Sequence, residues 1–156
     1  MQAAIEDRSG EDYVELLLVR SWRKIVSSRG NCPGIEREFT EWAGEAGRDM
    51  LLTYVAFLKA LGHGSRRPLT IGHPGLLGFT PDERQVIALL AAAQAGDDTR
   101  LSAHLEWLIR ADCQCTATIA ARTFARLLAD HGVKLAMTEA TPAEQRPARC
   151  PLVAVH

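Results

Sequence analysis

Met50-Leu51-Leu52-Thr53-Tyr54-Val55-Ala56-Phe57-Leu58-Lys59-Ala60-Leu61 has almost no polar side. Met50, Tyr54, Phe57 and Leu61 recur every three or four residues, the spacing of one helical face. Leu51, Val55 and Leu58 add apolar flanks to that face. A helix that is apolar nearly all round has to be enclosed by other elements. The expectation is therefore an all-α bundle with this helix at its centre. The same stripe runs backwards through Ile35, Phe39, Trp42 and Ala46, which extends the face over residues 35–61. Gly44 and Gly47 lie inside it, and a break there would give two shorter helices. Trp42, Tyr54, Phe57 and Leu58 are expected to be buried.

On the N-terminal side, Val14, Leu17, Leu18, Trp22 and Ile25 mark a first helix over 11–28. Its acids, Glu11 and Asp12, open it, and Arg20, Arg23 and Lys24 close it, an order that suits the helix dipole. Residues 1–10 read as a frayed N-terminus. On the C-terminal side, Thr80-Pro81-Asp82-Glu83 is a start signal. It combines an N-cap threonine, proline at the first helical position and glutamate three residues after the cap. That third helix reaches Ala95, with Val86, Leu89, Leu90 and Ala93 inward. Gly96 ends it, and Asp97 or Asp98 caps a fourth. Leu101, Leu105 and Leu108 form the core face of the fourth helix, with His104 and Trp107 at its boundary. A fifth helix runs to His131, with Ile119, Thr123, Phe124, Leu127 and Leu128 inward. Gly132 and Val133 fit a glycine C-cap with its apolar partner. Residues 138–156 read as an extended or disordered tail, although Cys150-Pro-Leu-Val-Ala-Val-His156 is apolar enough to dock. The fold class is thus an all-α, single-domain bundle of about five helices over 11–137, with a long ordered loop between helices two and three.

That loop, over 62–79, holds five of the twelve glycines and two of the five histidines. So long a connection in a compact domain is either functional or disordered. Leu69, Ile71, Leu76 and Phe79 argue that it plugs into the bundle, leaving His63, His73, Arg66 and Arg67 at the rim as the candidate binding residues. An arginine pair suits a phosphate or carboxylate. The competing reading is that Arg66 or Arg67 caps the C-terminal carbonyls of helix two.

The 18 Lys and Arg residues are balanced by 19 Asp and Glu, with no basic stripe, so nucleic acid is not an expected partner. The apolar runs fall short of a membrane span, and the N-terminus lacks a secretory pattern. The expected location is the cytoplasm, where Cys32, Cys113, Cys115 and Cys150 stay reduced. The sequence has no Gly-x4-Gly-Lys-Ser/Thr, no Gly-x-Ser-x-Gly, no His-Glu-x-x-His and no Glu-x-x-His. Phosphate-loop, nucleophile-elbow, zinc-peptidase and di-iron chemistry therefore have no residues to run them. Cys113-Gln-Cys115 with His63 or His73 is a possible metal set, and the same residues are the candidates for a thiol–imidazole pair. Glu38, Glu41, Glu45 and Asp49 make an acidic stripe that is either solvated or a dock for a basic partner.

The block from Met50 to Leu128 resembles a family of small all-helical bacterial proteins of unknown function. The shared look is a long apolar helix, then Arg66-Arg-Pro-Leu-Thr-Ile-Gly-His-Pro-Gly75, then the Thr80-Pro-Asp-Glu83 helix start. The resemblance covers about half of the chain. It implies cysteines before the capped helix, where this chain has Leu76, Leu77 and Gly78. It supplies no activity to transfer.

The resulting expectation is a non-enzymatic interaction or regulatory module without a cofactor, acting on a protein partner or on itself through the loop or an apolar helix face. Two alternatives stand beside it. One is a zinc-binding protein using Cys113, Cys115 and a loop histidine. The other is a small enzyme with a loop-borne site.

Overall fold

A computed structural model describes residues 2–30 and 32–136, with side chains from Tyr13 onward. Among the described residues six α-helices follow one another: α1 (Gln2–Ser27), α2 (Gly34–Ala43), α3 (Gly47–Gly64), α4 (Pro81–Ala95), α5 (Asp98–Leu108) and α6 (Gln114–Asp130). Short 3-10 turns, Gly44–Ala46 and Ala111–Cys113, precede α3 and α6. The described residues form no strand; an isolated antiparallel bridge joins Ser65 to Ile109. The architecture is all-α, in a single domain. No helix among the described residues is long and apolar enough to cross a membrane. The tail from 138, with Cys150, lies outside the described residues.

The long apolar face over 35–61 breaks at its glycines into α2 and α3, the outcome that Gly44 and Gly47 left open. Gly44 adopts φ 63°, and its amide donates to the Thr40 carbonyl to close α2. A Cβ on Gly47 would overlap the carbonyl oxygen of Phe39, so α3 starts directly against the backbone of α2. Only glycine permits that approach. At the other end of the chain, α1 begins at Gln2, ahead of the Glu11 start that its acidic residues suggested.

α3 packs against α2 and α6, and α4 packs against α5 and α6. Phe39, Tyr54 and Phe124 stack through the centre, with ring centroids 6.2 Å and 5.0 Å apart. Offset aromatic pairs at such spacings add stabilisation beyond their buried area. Tyr54 spends its hydroxyl on the Leu18 carbonyl, 2.6 Å away, which ties α3 to α1. Phe57 and Leu58 are buried as expected. Trp42 is not: it meets Phe39 edge-on at 6.0 Å and is left half-buried beside Tyr13, Leu16 and Arg20, because Phe39 occupies the inner position.

α4 is more enclosed than α3: every residue from Gln85 to Ala92 is buried, whereas Leu52 and Ala56 of α3 are exposed, so the helix expected to be covered on nearly every side keeps one open face. Its alanines let α5 and α6 approach closely on two sides. The α6 face is set by Ala117, Ala121, Phe124, Ala125 and Leu128. Ile119 and Thr123 fall outside that arc and are exposed, contrary to the sequence reading. His104 departs in the opposite direction. It lies among Leu101, Leu105 and Leu108 on the inner face of α5 and is 2 % exposed.

Candidate functional site

Everything distinctive about the loop originates in the first turn of α4. Thr80 is extended (φ −71°, ψ 161°) and its hydroxyl accepts from the Glu83 amide, while the Glu83 carboxylate accepts from the Thr80 amide at 2.8 Å. The capping box therefore forms as the sequence indicated. Its second function was not legible. Arg23 of α1 donates from Nε to Glu83 Oε1 (2.8 Å) and from Nη2 to Oε2 (2.7 Å). The Gly72 amide donates to Oε1 at 2.7 Å. Each carboxylate oxygen thus accepts two hydrogen bonds, which saturates the group. Arg23 Nη1 also donates to the Leu76 carbonyl (2.8 Å) and Nη2 to the Gly78 carbonyl (2.6 Å). One buried ion pair, with side chains 1 % and 0 % exposed, therefore grips the loop at Gly72, Leu76, Gly78 and Thr80.

A second pair lies one residue away. Arg67 spans Asp82 with Nη2 to Oδ1 (2.8 Å) and Nη1 to Oδ2 (2.9 Å). The Thr70 amide donates to Oδ2 at 2.6 Å, and the Thr80 hydroxyl donates to the Thr70 carbonyl at 2.6 Å. Burial by itself pushes both carboxyls up. Hydrogen bonds outweigh it and hold both below the usual carboxylate range: Arg23, Thr80 and Gly72 at Glu83, Arg67 and Thr70 at Asp82. Their hydrogen bonds to these carboxylates raise Arg23 and Arg67 in turn.

The candidate binding residues resolve differently from one another. Arg67 is half of the Asp82 clamp. Arg66 Nε donates to the Glu106 carbonyl at 2.8 Å and its amide to the Leu108 carbonyl at 2.9 Å. Both arginines thus bond to other parts of the chain while staying exposed, and neither caps the helix before them; Arg66 serves the end of α5 instead. His63 and His73 are exposed, and His73 Nδ1 accepts from the Gly75 amide at 3.2 Å. Cys113 is half-buried beside Arg110, whose Nη2 lies 3.5 Å from Sγ, and Cys115 is exposed. Among the described residues no group of three or more His, Cys, Asp or Glu is placed to hold a metal ion. In the acidic stripe, Glu38 pairs with Lys24 (2.6 Å) and Glu41 with Arg37 (2.9 Å).

What the clamped loop does build is a groove of about 490 Å³. One wall is Trp22, Ile25 and Val26 of α1. The floor is Val55, Leu58 and Lys59 of α3. The other wall is Pro68, Leu69 and Ile71 of the loop. Its volume and largely apolar lining are those of small-molecule sites. Leu69 and Ile71 reach the core as expected, whereas Leu76 is 38 % exposed and Leu77 is 94 % exposed. Once Leu76 and Gly78 give their carbonyls to Arg23, those two leucines are turned outward. Comparison with family models, with curated proteins and with solved structures finds no match to this chain.

Proposed function

We propose that the chain is a non-enzymatic interaction module of regulatory type, which binds an apolar ligand in the groove between α1, α3 and the loop. The observation that carries this reading is the groove itself: a concave apolar surface, one wall of which is held by two arginine–carboxylate clamps. A wall fixed before the ligand arrives avoids the ordering cost of binding. The non-enzymatic reading rests on the polar groups. Arg23, Glu83 and Asp82 are committed to one another and to loop backbone, so none is left to move a proton or attack a substrate. The test is binding of a neutral apolar dye such as Nile red. Val26→Asp and Leu69→Asp are expected to abolish the fluorescence increase while the circular dichroism stays unchanged. Undiminished dye binding by both variants refutes the assignment.

A second patch supports the self-association side of the same reading. Tyr13 and Leu16 are 53 % and 43 % exposed, and with Arg20, Glu41 and half-buried Trp42 they line a shallow groove between α1 and α2. An aromatic centre with both charge signs at its rim is self-complementary, as a twofold interface requires. Sedimentation is expected to show a concentration-dependent dimer that Leu16→Glu removes. A monomer at every concentration refutes it.

A further inference from the structure

We infer that the groove ligand is an amphipathic acid, a small molecule with an aliphatic or aryl body and one carboxylate, whose head group pairs with Lys59. This inference rests on the groove being the binding surface. Among the described residues Lys59 is the one charged residue that lines it, and no carboxylate does. Lys59 is exposed and, among the described residues, has no ion-pair or hydrogen-bond partner, unlike Lys24, which Glu38 neutralises. The helix ends that reach the groove do not offset it. The Lys24 and Ile25 carbonyls of α1 are taken by the amides of Ser28 and Gly30, and the Gly64 carbonyl of α3 by the Arg110 amide. An apolar ligand lying between Trp22 and Leu69 therefore ends beside a single unpaired cation. A carboxylate there gains an ion pair at the water boundary, where an ammonium group meets repulsion and a hydroxyl gains no charge pairing. Such a pair is worth only about a three- to fivefold change in Kd, in keeping with a partly exposed site, and it weakens with salt.

The experiment is methyl NMR titration of the protein with octanoate, octanol and octylamine, each below its micelle-forming concentration. Shifts at Val26, Val55, Leu58, Leu69 and Ile71 locate the ligand. Lys59→Gln is expected to weaken octanoate about three- to fivefold and to leave octanol unchanged, and Lys59→Glu is expected to favour octylamine over octanoate. Equal octanoate affinity in wild type and Lys59→Gln overturns the inference. So does tighter binding of octylamine than of octanoate by the wild type. In either case octanol shifts at the same methyls leave the groove reading standing. If no ligand perturbs those methyls, the groove reading falls as well.

Discussion

Glu83 occupies a position where no other side chain satisfies the same neighbours. An amide at this site keeps one acceptor oxygen but turns an NH2 toward donors on Arg23, Thr80 or Gly72. Breaking a buried pair from one side leaves the other charge uncompensated, at a cost of about 3–5 kcal/mol. Glu83→Gln is expected to lose that much in urea unfolding, and Asp82→Asn clearly less, because Arg67 is 54 % exposed and can hydrate. Gly72 is bound by the same geometry. A Cβ there would lie 2.9 Å from Arg23 Nε and 2.7 Å from Leu76 Cδ2. Gly72→Ala is therefore expected to cost about 1–3 kcal/mol through overpacking, with loss of amide protection in residues 70–80. Unchanged stability would mean that the loop shifts to make room. His104 gives a pH signature. Burial, aided by the positive charge of Arg100, lowers its pKa from 6.5, and its Nδ1 has no partner among the described residues. The unfolded chain therefore binds this proton more readily than the folded one. Stability is full above about pH 6.5 and falls as the pH drops from there toward the folded pKa. His104→Leu is expected to flatten that part of the stability–pH profile.

The elements differ in how much of themselves they reveal locally. The start of α4 was legible because its capping box is complete within four residues, Thr80 to Glu83. Thr80→Ala is expected to destabilise by about 0.5–2 kcal/mol, the usual value of an N-cap. Calorimetry should place it at the upper end, since the same hydroxyl also holds the Thr70 carbonyl. The face of α3 was legible because its period is strict. The break before it was visible only as two glycines, and what forces it, the approach of Gly47 to Phe39, is a contact between two helices. The loop was legible as a feature but not as a geometry. Its apolar anchors named Leu69 and Ile71 correctly, yet the direction of Leu76 is set by Arg23, 53 residues earlier. The one available hint was that Arg23 lies four residues after Val19, on a face of α1 that is buried. Periodicity assigns such a residue to the core, and the charge argued against it. Lys59 was passed over for the opposite reason. It is an ordinary exposed lysine until the loop folds over beside it.

At the scale of the whole molecule, α1 is attached by a few large groups: Leu18, Trp22, the Tyr54 hydroxyl and Arg23. Tyr54→Phe is expected to cost about 0.5–1.5 kcal/mol, a single hydrogen bond, and to raise exchange at the C-terminal half of α1 first. Acid should act on the same joint. Glu83 and Asp82 have folded pKa values below their ordinary 4.5 and 3.8, so the stability they contribute is present above those values and is lost as pH falls below them. Fluorescence of Trp22, beside the joint, is expected to change in that acid window, and in His104→Leu as in the wild type.

Arg23 and Glu83 are 60 positions apart. During synthesis at about 5–20 residues per second, Arg23 waits roughly 3–12 s for its partner to be added. Through that interval α1 can form, but its guanidinium has to remain in water, because no carboxylate among the described residues ahead of Asp82 is buried to receive it. The first helix made is thus among the last to dock. A nascent chain halted before Glu83 should expose Trp22 and Leu18 to any chaperone at the tunnel exit, and one halted well beyond α6 should hide them.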